Sequence, residues 1–377
     1  MKFLHLGDLH LGIRVHGFDL LEDQQYILDQ IVQIAKDQAV NGVLICGDVY
    51  DTAYPPAQAV TLLNDFLNKL VKEGIEVFVI SGNHDSAVRL GFGSELMKAS
   101  GVHMSTRLKS PLDHVDLTGK DGEKVRIHMM PFIRPVHVRA LLPDQTVENW
   151  KQAYSLACAQ ADLKKDACNI LMSHQFVTGA TTCQSEELMA GGIDQVSALD
   201  LEPFDYTALG HLHSPQQVTK ETIRYSGSPL AYSTSEIRTA KSVPVIETQN
   251  DGSVRCDSVE LHPLHGMREI EGHYEQIVKM AKEHPDWKND YISVILDDEQ
   301  DVPDALFRLQ SLFPFFMKME YAHRRPVSTL GVCAEKLEAL SDLDLIASFF
   351  KDVTGANLSK EQQELITGVW EDLDETR

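Results

Sequence analysis

Five short stretches of the sequence gather most of the side chains that could do chemistry together. They are Asp8-Leu9-His10, Gly47-Asp48, Gly82-Asn83-His84-Asp85, Ser173-His174 and Gly210-His211-Leu212-His213. From them come the carboxylates of Asp8 and Asp48, the amide of Asn83 and the imidazoles of His10, His84, His174, His211 and His213. This oxygen and nitrogen set has no thiolate. It suits Mn, Fe, Zn or Mg and is a poor match for a structural zinc. Two divalent ions sharing one carboxylate, each with a position open for water or substrate, need about seven protein ligands. The set supplies them with one histidine to spare. Such ions, roughly 3.5–4 Å apart, activate water and stabilise a phosphoryl group during in-line displacement. The spare histidine can protonate the leaving oxygen.

The elements that must position these residues are legible around them. Each stretch follows a short apolar run: Met1 to Leu6, Val43 to Cys46, Val77 to Ile80, Ile170 to Met172 and Tyr206 to Leu209. Runs of this length, rich in β-branched residues and ended by Gly or a small polar residue, predict buried strands. The polar residues then sit at the carboxyl ends of strands, where open α/β sheets place their sites. Helical spacing from Phe18 to Val40 and from Val60 to Val71 predicts a βαβαβ unit with parallel pairing and right-handed crossovers. A strand over Val125 to Pro131 and a helix over Val147 to Leu163 follow. Then comes a polar loop of about thirty residues between His174 and Tyr206, long enough to be functional and to shape the substrate opening. Strands around Thr222 to Ser226, Val243 to Thr248 and Val254 to Leu261 are expected to complete a second sheet.

The order Asp-x-His, Gly-Asp, Gly-Asn-His-Asp, a lone His and Gly-His-x-His resembles the calcineurin-like metallophosphoesterases. The finer wording resembles the SbcD-like nucleases among them: Asp8-Leu9-His10-Leu11-Gly12, Gly47-Asp48-Val49-Tyr50-Asp51, Gly82-Asn83-His84-Asp85-Ser86, Ala208-Leu209-Gly210-His211-Leu212-His213 and Tyr225-Ser226-Gly227-Ser228-Pro229. The resemblance implies an α/β sandwich of two central mixed β-sheets flanked by helices. It implies that Asp8, His10, Asp48 and His213 hold one metal, and Asp48, Asn83, His174 and His211 the other. Mn2+ is the first expectation and Mg2+ the second. Asp48 bridges, since a carboxylate has lone pairs to spare on both oxygens. His84 is then catalytic without being a ligand, and Asp85 either orients it or caps a helix.

The same resemblance implies metal-dependent DNA hydrolysis: 3′-to-5′ exonuclease action on duplex ends and endonuclease action on hairpins or single strands, in repair and recombination. ATP would be used by an SbcC-like coiled-coil ATPase partner, as no GxxxxGK[ST] motif occurs here. A homodimer within a heterotetramer is also implied. The alternatives are a phosphodiesterase for small molecules such as cyclic nucleotides, and a scaffold subunit with vestigial metals. A complete ligand set disfavours the scaffold, and the segments beyond residue 261 disfavour a small substrate, which needs neither a cap nor terminal helices.

Composition sets outer limits. The 377 residues are too many for one ordinary core. A net charge of −22 argues against a protein that coats nucleic acid through phosphate contacts alone, although a site holding two dications supplies its own positive field. No apolar run approaches a membrane span and no signal-peptide h-region opens the chain, so a cytoplasmic location without a membrane partner is expected. The six cysteines lack metal spacing and read as reduced thiols. His5 and His128 fall inside predicted strands and read as structural. Arg14, His16 and Arg89 follow the metal-bearing loops and are either phosphate contacts or solvated side chains.

The expected division is a metallophosphoesterase nuclease unit over 1–261, an α+β capping unit that orients DNA over 262–325, and a linker with a helical pair that binds the ATPase over 326–377. In the middle unit, strands over Met267 to Ile270, Tyr291 to Leu296 and Phe316 to Tyr321 alternate with helices over Tyr274 to Lys282 and Asp304 to Leu312. In the last, Ser341 with Asp344 and Ser359 with Gln362 predict helix caps, and Gly355 ends the first helix.

Overall fold

A period of two in the side chains, applied strand by strand, sorts this sequence into layers. The computed structural model describes residues 1–183, 185–186, 194–249, 252–324, 358–359 and 362–363. Strand β1 (Lys2–Leu6) leads through a small hairpin, β2 (Arg14–Val15) and β3 (Phe18–Asp19), into helix α1 (Leu21–Asp37), β4 (Gly42–Cys46), α2 (Ala57–Lys72) and β5 (Glu76–Ile80). Two single-turn helices, α3 (Ala87–Leu90) and α4 (Ser94–Met97), precede β6 (Val102–Ser105), β7 (Asp113–Thr118) and β8 (Lys124–Met130). Next come α5 (Pro135–Leu141), α6 (Trp150–Cys158), β9 (Cys168–His174), β10 (Tyr206–Gly210), β11 (Gln216–Val218) and β12 (Lys220–Tyr225). The strands β13 (Ser242–Thr248) and β14 (Val254–Glu260) close this part of the chain.

Two six-stranded mixed sheets result, in the orders β14-β13-β1-β4-β5-β6 and β11-β12-β10-β9-β8-β7. They pack face to face. Phe3, Leu44, Cys46, Phe78 and Ile80 of the first meet Ile127, Met129, Ile170, Met172, Tyr206 and Ala208 of the second. The alternate residues point the other way. Leu4, Leu6, Val43, Ile45, Val77 and Val79 pack under α1 and α2, and Leu171 and Leu209 pack under α6. His5 faces the inter-sheet layer, where Tyr206 Oη and Leu209 O, each 3.1 Å away, take up its two ring nitrogens. Burial lowers its pKa to about 3, so it is a neutral structural residue.

The strands β1, β4 and β5 are parallel neighbours, as the βαβαβ pattern requires. Three details differ from the pattern. Phe18 and Asp19 belong to the hairpin rather than to α1, because His16 (φ 48°) and Gly17 (φ 89°) form a two-residue turn with both central residues left-handed. The strands β13 and β14 extend the first sheet instead of the second. Val245 and Ile246 lie opposite Leu4 and Phe3 on the free edge of β1, antiparallel to it. Periodicity says that a strand has two apolar faces, not which edge it joins. The stretch between Gly91 and Val125 also holds β6 and β7, which cap the outer edges of the two sheets.

Beyond residue 262 come β15 (Met267–Gly272), α7 (Tyr274–Glu283), β16 (Tyr291–Leu296), α8 (Ala305–Leu312) and β17 (Phe316–Tyr321). The three strands form an all-parallel sheet over a separate core that includes Ile270, Ile277, Ile292, Val294, Leu309 and Phe313. This unit docks on the start of α1. Buried Asp23 accepts from Tyr291 Oη at 2.8 Å and from the His265 backbone N–H at 3.2 Å, and the rings of Phe18, Tyr291 and Phe315 pack edge to face and tilted. Of the expected helical pair, Ser359 and Gln362 are described. Their side chains cap each other's backbone N–H at 3.2 and 2.9 Å, as a capping box does. The remainder of that pair lies outside the described residues. Among the described residues, no helix is long and apolar enough to cross a membrane.

Candidate metal centre

Both sheets turn the carboxyl ends of their parallel strands to the same side. Asp8, Asp48 and Asn83 follow β1, β4 and β5, and His174 and His211 stand at the ends of β9 and β10, where Gly210 pairs with His174. The loops after β1 and β4 stay zipped beyond the strands, with Asp8 N–H donating to Gly47 O (3.1 Å) and His10 N–H to Asp48 O (2.9 Å). To aim their side chains inward, Asp8, His10, Asp48 and His211 take positive φ angles of 54°, 42°, 46° and 106°. Such backbone costs of order 1–3 kcal/mol per residue and collects where function demands it. Two close approaches also exclude side chains. A Cβ on Gly82 would lie 2.0 Å from Asp48 Oδ1, and one on Gly210 would lie 1.9 Å from Cys46 O.

All seven expected ligands and His84 converge on one pocket. Candidate ligand atoms of Asp8, His10 and His213 lie within 4.8 Å of one another, and so do those of Asp48, His174 and His211. Asn83 Oδ1 completes the second group, 3.0 Å from both His174 Nε2 and His211 Nδ1. Asp48 stands between the groups, its Oδ2 lying 3.3 Å from His174 Nε2 and 3.7 Å from His10 Nε2. Of the seven, all but Asn83 are buried. His84 is half-buried. Its Nδ1 donates to Asp51 O at 2.8 Å, and its Nε2 lies 4.0 Å from Asp48 Oδ2.

The donor set fits a pair of cations. His174 Nδ1 donates to Cys46 O at 2.7 Å, so in the neutral ring its Nε2 presents a lone pair to the oxygens of Asn83 and Asp48. His10 Nε2 and His213 Nε2 face each other at 3.2 Å. Lone pairs pointed at lone pairs in a buried pocket repel unless a proton or a metal ion lies between them. The electrostatics agree. Burial opposes a charge on His174, yet the Asp48 carboxylate, by its charge and its hydrogen bond, pushes the imidazole up to about 9. Burial also works against the Asp48 carboxylate, and the charge and hydrogen bond of His174, then His10 and His84, hold it well below the usual range. Asp8 rises to about 7, through burial first and then, against the pull of His174, through the Asp48 charge beside it. Burial and the His174 charge lower His211 to about 3, so it is the neutral imidazole that a metal requires.

The surrounding residues were not marked by spacing. Gln24, buried in the first turn of α1, donates to Leu9 O and His10 O at 3.1 and 2.8 Å and accepts from Gly12 N–H at 2.9 Å, which fixes the loop carrying Asp8 and His10. Asp85 does not cap α3, whose N-cap is Ser86. It accepts from Val49, Tyr50 and Gly82 N–H at 3.1, 3.0 and 2.8 Å and so ties the Asp48 loop to the Asn83 loop. Behind His213, Ser185 Oγ lies 2.8 Å from Nδ1 and donates to Glu236 Oε1 at 2.6 Å, while Lys241 Nζ reaches Glu236 Oε2 at 2.5 Å. Burial works against the Glu236 carboxylate, but His213 and Lys241 hold it below its ordinary range. Glu236→Ala is expected to destabilise the protein by about 3–5 kcal/mol, since it leaves the Lys241 ammonium buried without a counter-charge. It is also expected to weaken metal binding by about 10–100-fold through the freed His213 ring. Urea unfolding and Mn2+ titration check both; Glu236→Ala with Lys241→Met regains stability but not metal affinity.

Residues 1–215 match the model of the calcineurin-like phosphoesterases, and residues 263–354 match that of the type 5 capsule protein repressor C-terminal domain. Over 373 residues, 97% of either chain, the sequence is 31% identical to the SbcD subunit of nuclease SbcCD from Staphylococcus epidermidis. This chain belongs to the SbcD family of calcineurin-like phosphoesterases. Members of that superfamily are metal-dependent phosphoesterases, and this SbcD-family chain gathers a buried oxygen and nitrogen donor set at the ends of its strands. Solved structures align more loosely. A dimetal phosphatase from Danio rerio gives a TM-score of 0.40 at 11% identity, covering 69% of this chain and 96% of that one. A protein from Thermus thermophilus gives 0.38 at 12%, covering 68% and 97%.

Arg14 and Arg89, the two arginines of the metal-bearing loops, are engaged locally. Arg14 donates to Gly17 O at 2.7 Å within its own hairpin, and the Arg89 guanidinium lies 4.2 Å from the centre of the Tyr54 ring. His16 is the exposed turn residue of that hairpin. His128 is buried and hydrogen-bonded to Asn169 Oδ1 at 3.2 Å, in keeping with a structural role.

Proposed function

We propose that this chain is the nuclease subunit of an SbcCD-type complex, hydrolysing DNA phosphodiester bonds as a 3′-to-5′ exonuclease on duplex ends and an endonuclease on hairpins and single strands. The observation that carries the reading is the convergence of Asp8, His10, Asp48, Asn83, His174, His211 and His213 on one buried pocket, within a chain aligned end to end with an SbcD nuclease. Asp8, His10, Asp48 and His213 would hold one divalent ion, and Asp48, Asn83, His174 and His211 the other, with Mn2+ preferred for this oxygen and nitrogen set. When bound, the ions supply Lewis acidity to a phosphoryl oxygen and generate a nucleophile from water at neutral pH.

The protein's own groups do the rest. Asp48 offsets the charge of both sites with one carboxylate. His174 is held to its tautomer by Cys46 O, and His213 is steadied by Ser185 and Glu236. His84, its Nδ1 donating to Asp51 O, is the group proposed to meet the substrate, where a protonated ring stabilises developing charge and donates to the departing oxygen.

The 262–325 unit, seated on the start of α1, is proposed as the cap that orients DNA. The 326–377 segment is proposed to bind the SbcC-like coiled-coil ATPase. Two copies are proposed to associate through the apolar side chains of Val88, Phe92 and Leu96, which stand 66%, 85% and 82% exposed on α3, α4 and the turn between them. A cytoplasmic location fits a DNA substrate. Linear duplex DNA, a hairpin and a cyclic nucleotide offered with Mn2+, with and without the ATPase, test the reading. DNA cleavage that chelation abolishes is expected; rapid turnover of the cyclic nucleotide with inert DNA would transfer the chemistry to small molecules.

A further inference from the structure

A cleft of about 420 Å³ opens beside the Asn83 end of the metal centre, and the steps above leave it unused. Asn83 and Phe132 line it next to the metal centre, with Arg107, Arg134 and His137 also on its walls. The Phe132 ring runs 26° from parallel to His211, centroids 6.4 Å apart, and edge-on to His174 at 6.2 Å. Its backbone N–H donates to Ser81 O at 2.8 Å, which locks it to the loop carrying Asn83. The Arg134 guanidinium stands 5.8 Å from the Phe132 ring centre. Arg107 and Arg134 are both exposed. Among the described residues neither has a carboxylate within salt-bridge distance, whereas Arg126 is held by Asp116 and Asp162 and Arg268 by Asp290. In a chain of net charge −22, two uncommitted guanidiniums on one cleft, next to a ring and a phosphoryl site, form a local anion-and-base receptor.

We infer that this cleft is the subsite for the nucleotide adjoining the scissile phosphate, with its base stacked against Phe132 and its outer phosphate held by Arg107 and Arg134. The inference rests on the nuclease reading and deepens it. The volume falls in the range of roughly 300–1,000 Å³ typical of small-ligand pockets. Every base has a π-face, so stacking here is tolerant of sequence, as suits an enzyme that degrades any strand. A terminal nucleotide of a duplex must leave its partner to enter, so frayed and single-stranded ends bind ahead of closed ones.

The test uses a phosphorothioate oligonucleotide carrying 2-aminopurine at its terminal position, titrated in Mn2+ into the full chain. Binding is expected to quench the fluorophore. Phe132→Leu, which keeps an apolar side chain against His211, is expected to lose most of the quench and to weaken binding about tenfold. Arg107→Ala and Arg134→Ala are each expected to weaken binding and to lower the slope of log affinity against log salt by about one. Mn2+ titration of each variant reports that the metal centre is intact, and the two surface arginine variants carry the test should the Phe132 change disturb folding. A wild type that binds and cleaves DNA, with all three variants matching it in quench, affinity and salt slope, overturns the subsite alone. A wild type that neither binds nor cleaves DNA overturns the nuclease reading and the subsite with it.

Discussion

Asp48→Asn is expected to lower phosphodiester turnover by at least roughly 10³-fold, beyond the range of about 10²–10³ that removing a single electrostatic stabiliser costs. The reason is position. Asp48 Oδ2 lies 3.3 Å from His174 Nε2 and 3.7 Å from His10 Nε2, so one carboxylate serves both halves of the proposed ligand set. An amide of the same shape keeps the packing but removes the negative charge that lets two dications sit side by side. Cation binding to the folded state stabilises it by about 2.7 kcal/mol at a hundred times the dissociation constant. The rise in Tm on adding Mn2+ is therefore expected to shrink or vanish in the variant. Thermal melting with and without Mn2+, beside a nuclease assay, reads both effects. Turnover and Mn2+ stabilisation equal to the wild type would mean that Asp48 bridges nothing.

His84→Ala is expected to separate metal binding from chemistry. In the proposed assignment His84 is no ligand, although a ring nitrogen of His84 lies within 4.8 Å of the ligand atoms of His10 and Asp48. It stands 4.0 Å from Asp48 Oδ2, with its ring edge-on to His10 at 4.8 Å between centroids. Its backbone N–H, which donates to Asp48 Oδ1 at 2.9 Å, is untouched by the substitution, so the Asp48 carboxylate keeps its orientation. Turnover is expected to fall by about 10²–10⁴-fold, the usual worth of a positioned acid or base. Mn2+ stoichiometry and affinity are expected to stay as in the wild type. Calorimetric titration of Mn2+ alongside hydrolysis rates checks this. Unchanged turnover would remove His84 from the reaction, and lost Mn2+ would make it a ligand.

Much of this centre is legible in the sequence because each ligand is attached to a strand whose ending is marked. Asp8 follows Phe3-Leu4-His5-Leu6, Asp48 follows Val43-Leu44-Ile45-Cys46, and Asn83 follows Val77-Phe78-Val79-Ile80, each run broken by a glycine or a serine. Parallel pairing then brings the ends of these strands to one side without further information. His5 is legible too, since a histidine inside an apolar strand must satisfy both nitrogens within the core. What the sequence hides depends on partners chosen across space. Glu236 and Lys241 carry no motif, and their pairing with Ser185 and His213 exists only once the chain has folded. Asp85 looks like a helix cap from its place before Ser86-Ala87-Val88, yet three backbone N–H groups from two loops claim it. The edge joined by β13 is hidden for a similar reason, because Val243, Val245 and Ile246 would suit either sheet. Phe132 follows a strand end as the ligands do, but a phenyl ring announces packing before it announces a substrate.

The central claim, that the side chains of seven residues grip a pair of divalent ions, is tested most directly by anomalous diffraction from crystals grown with Mn2+. Two peaks about 3.5–4 Å apart are expected, bridged by Asp48, one also bound by Asp8, His10 and His213 and the other by Asn83, His174 and His211. A pocket without anomalous signal at saturating Mn2+, or peaks bound by other side chains, would contradict the account.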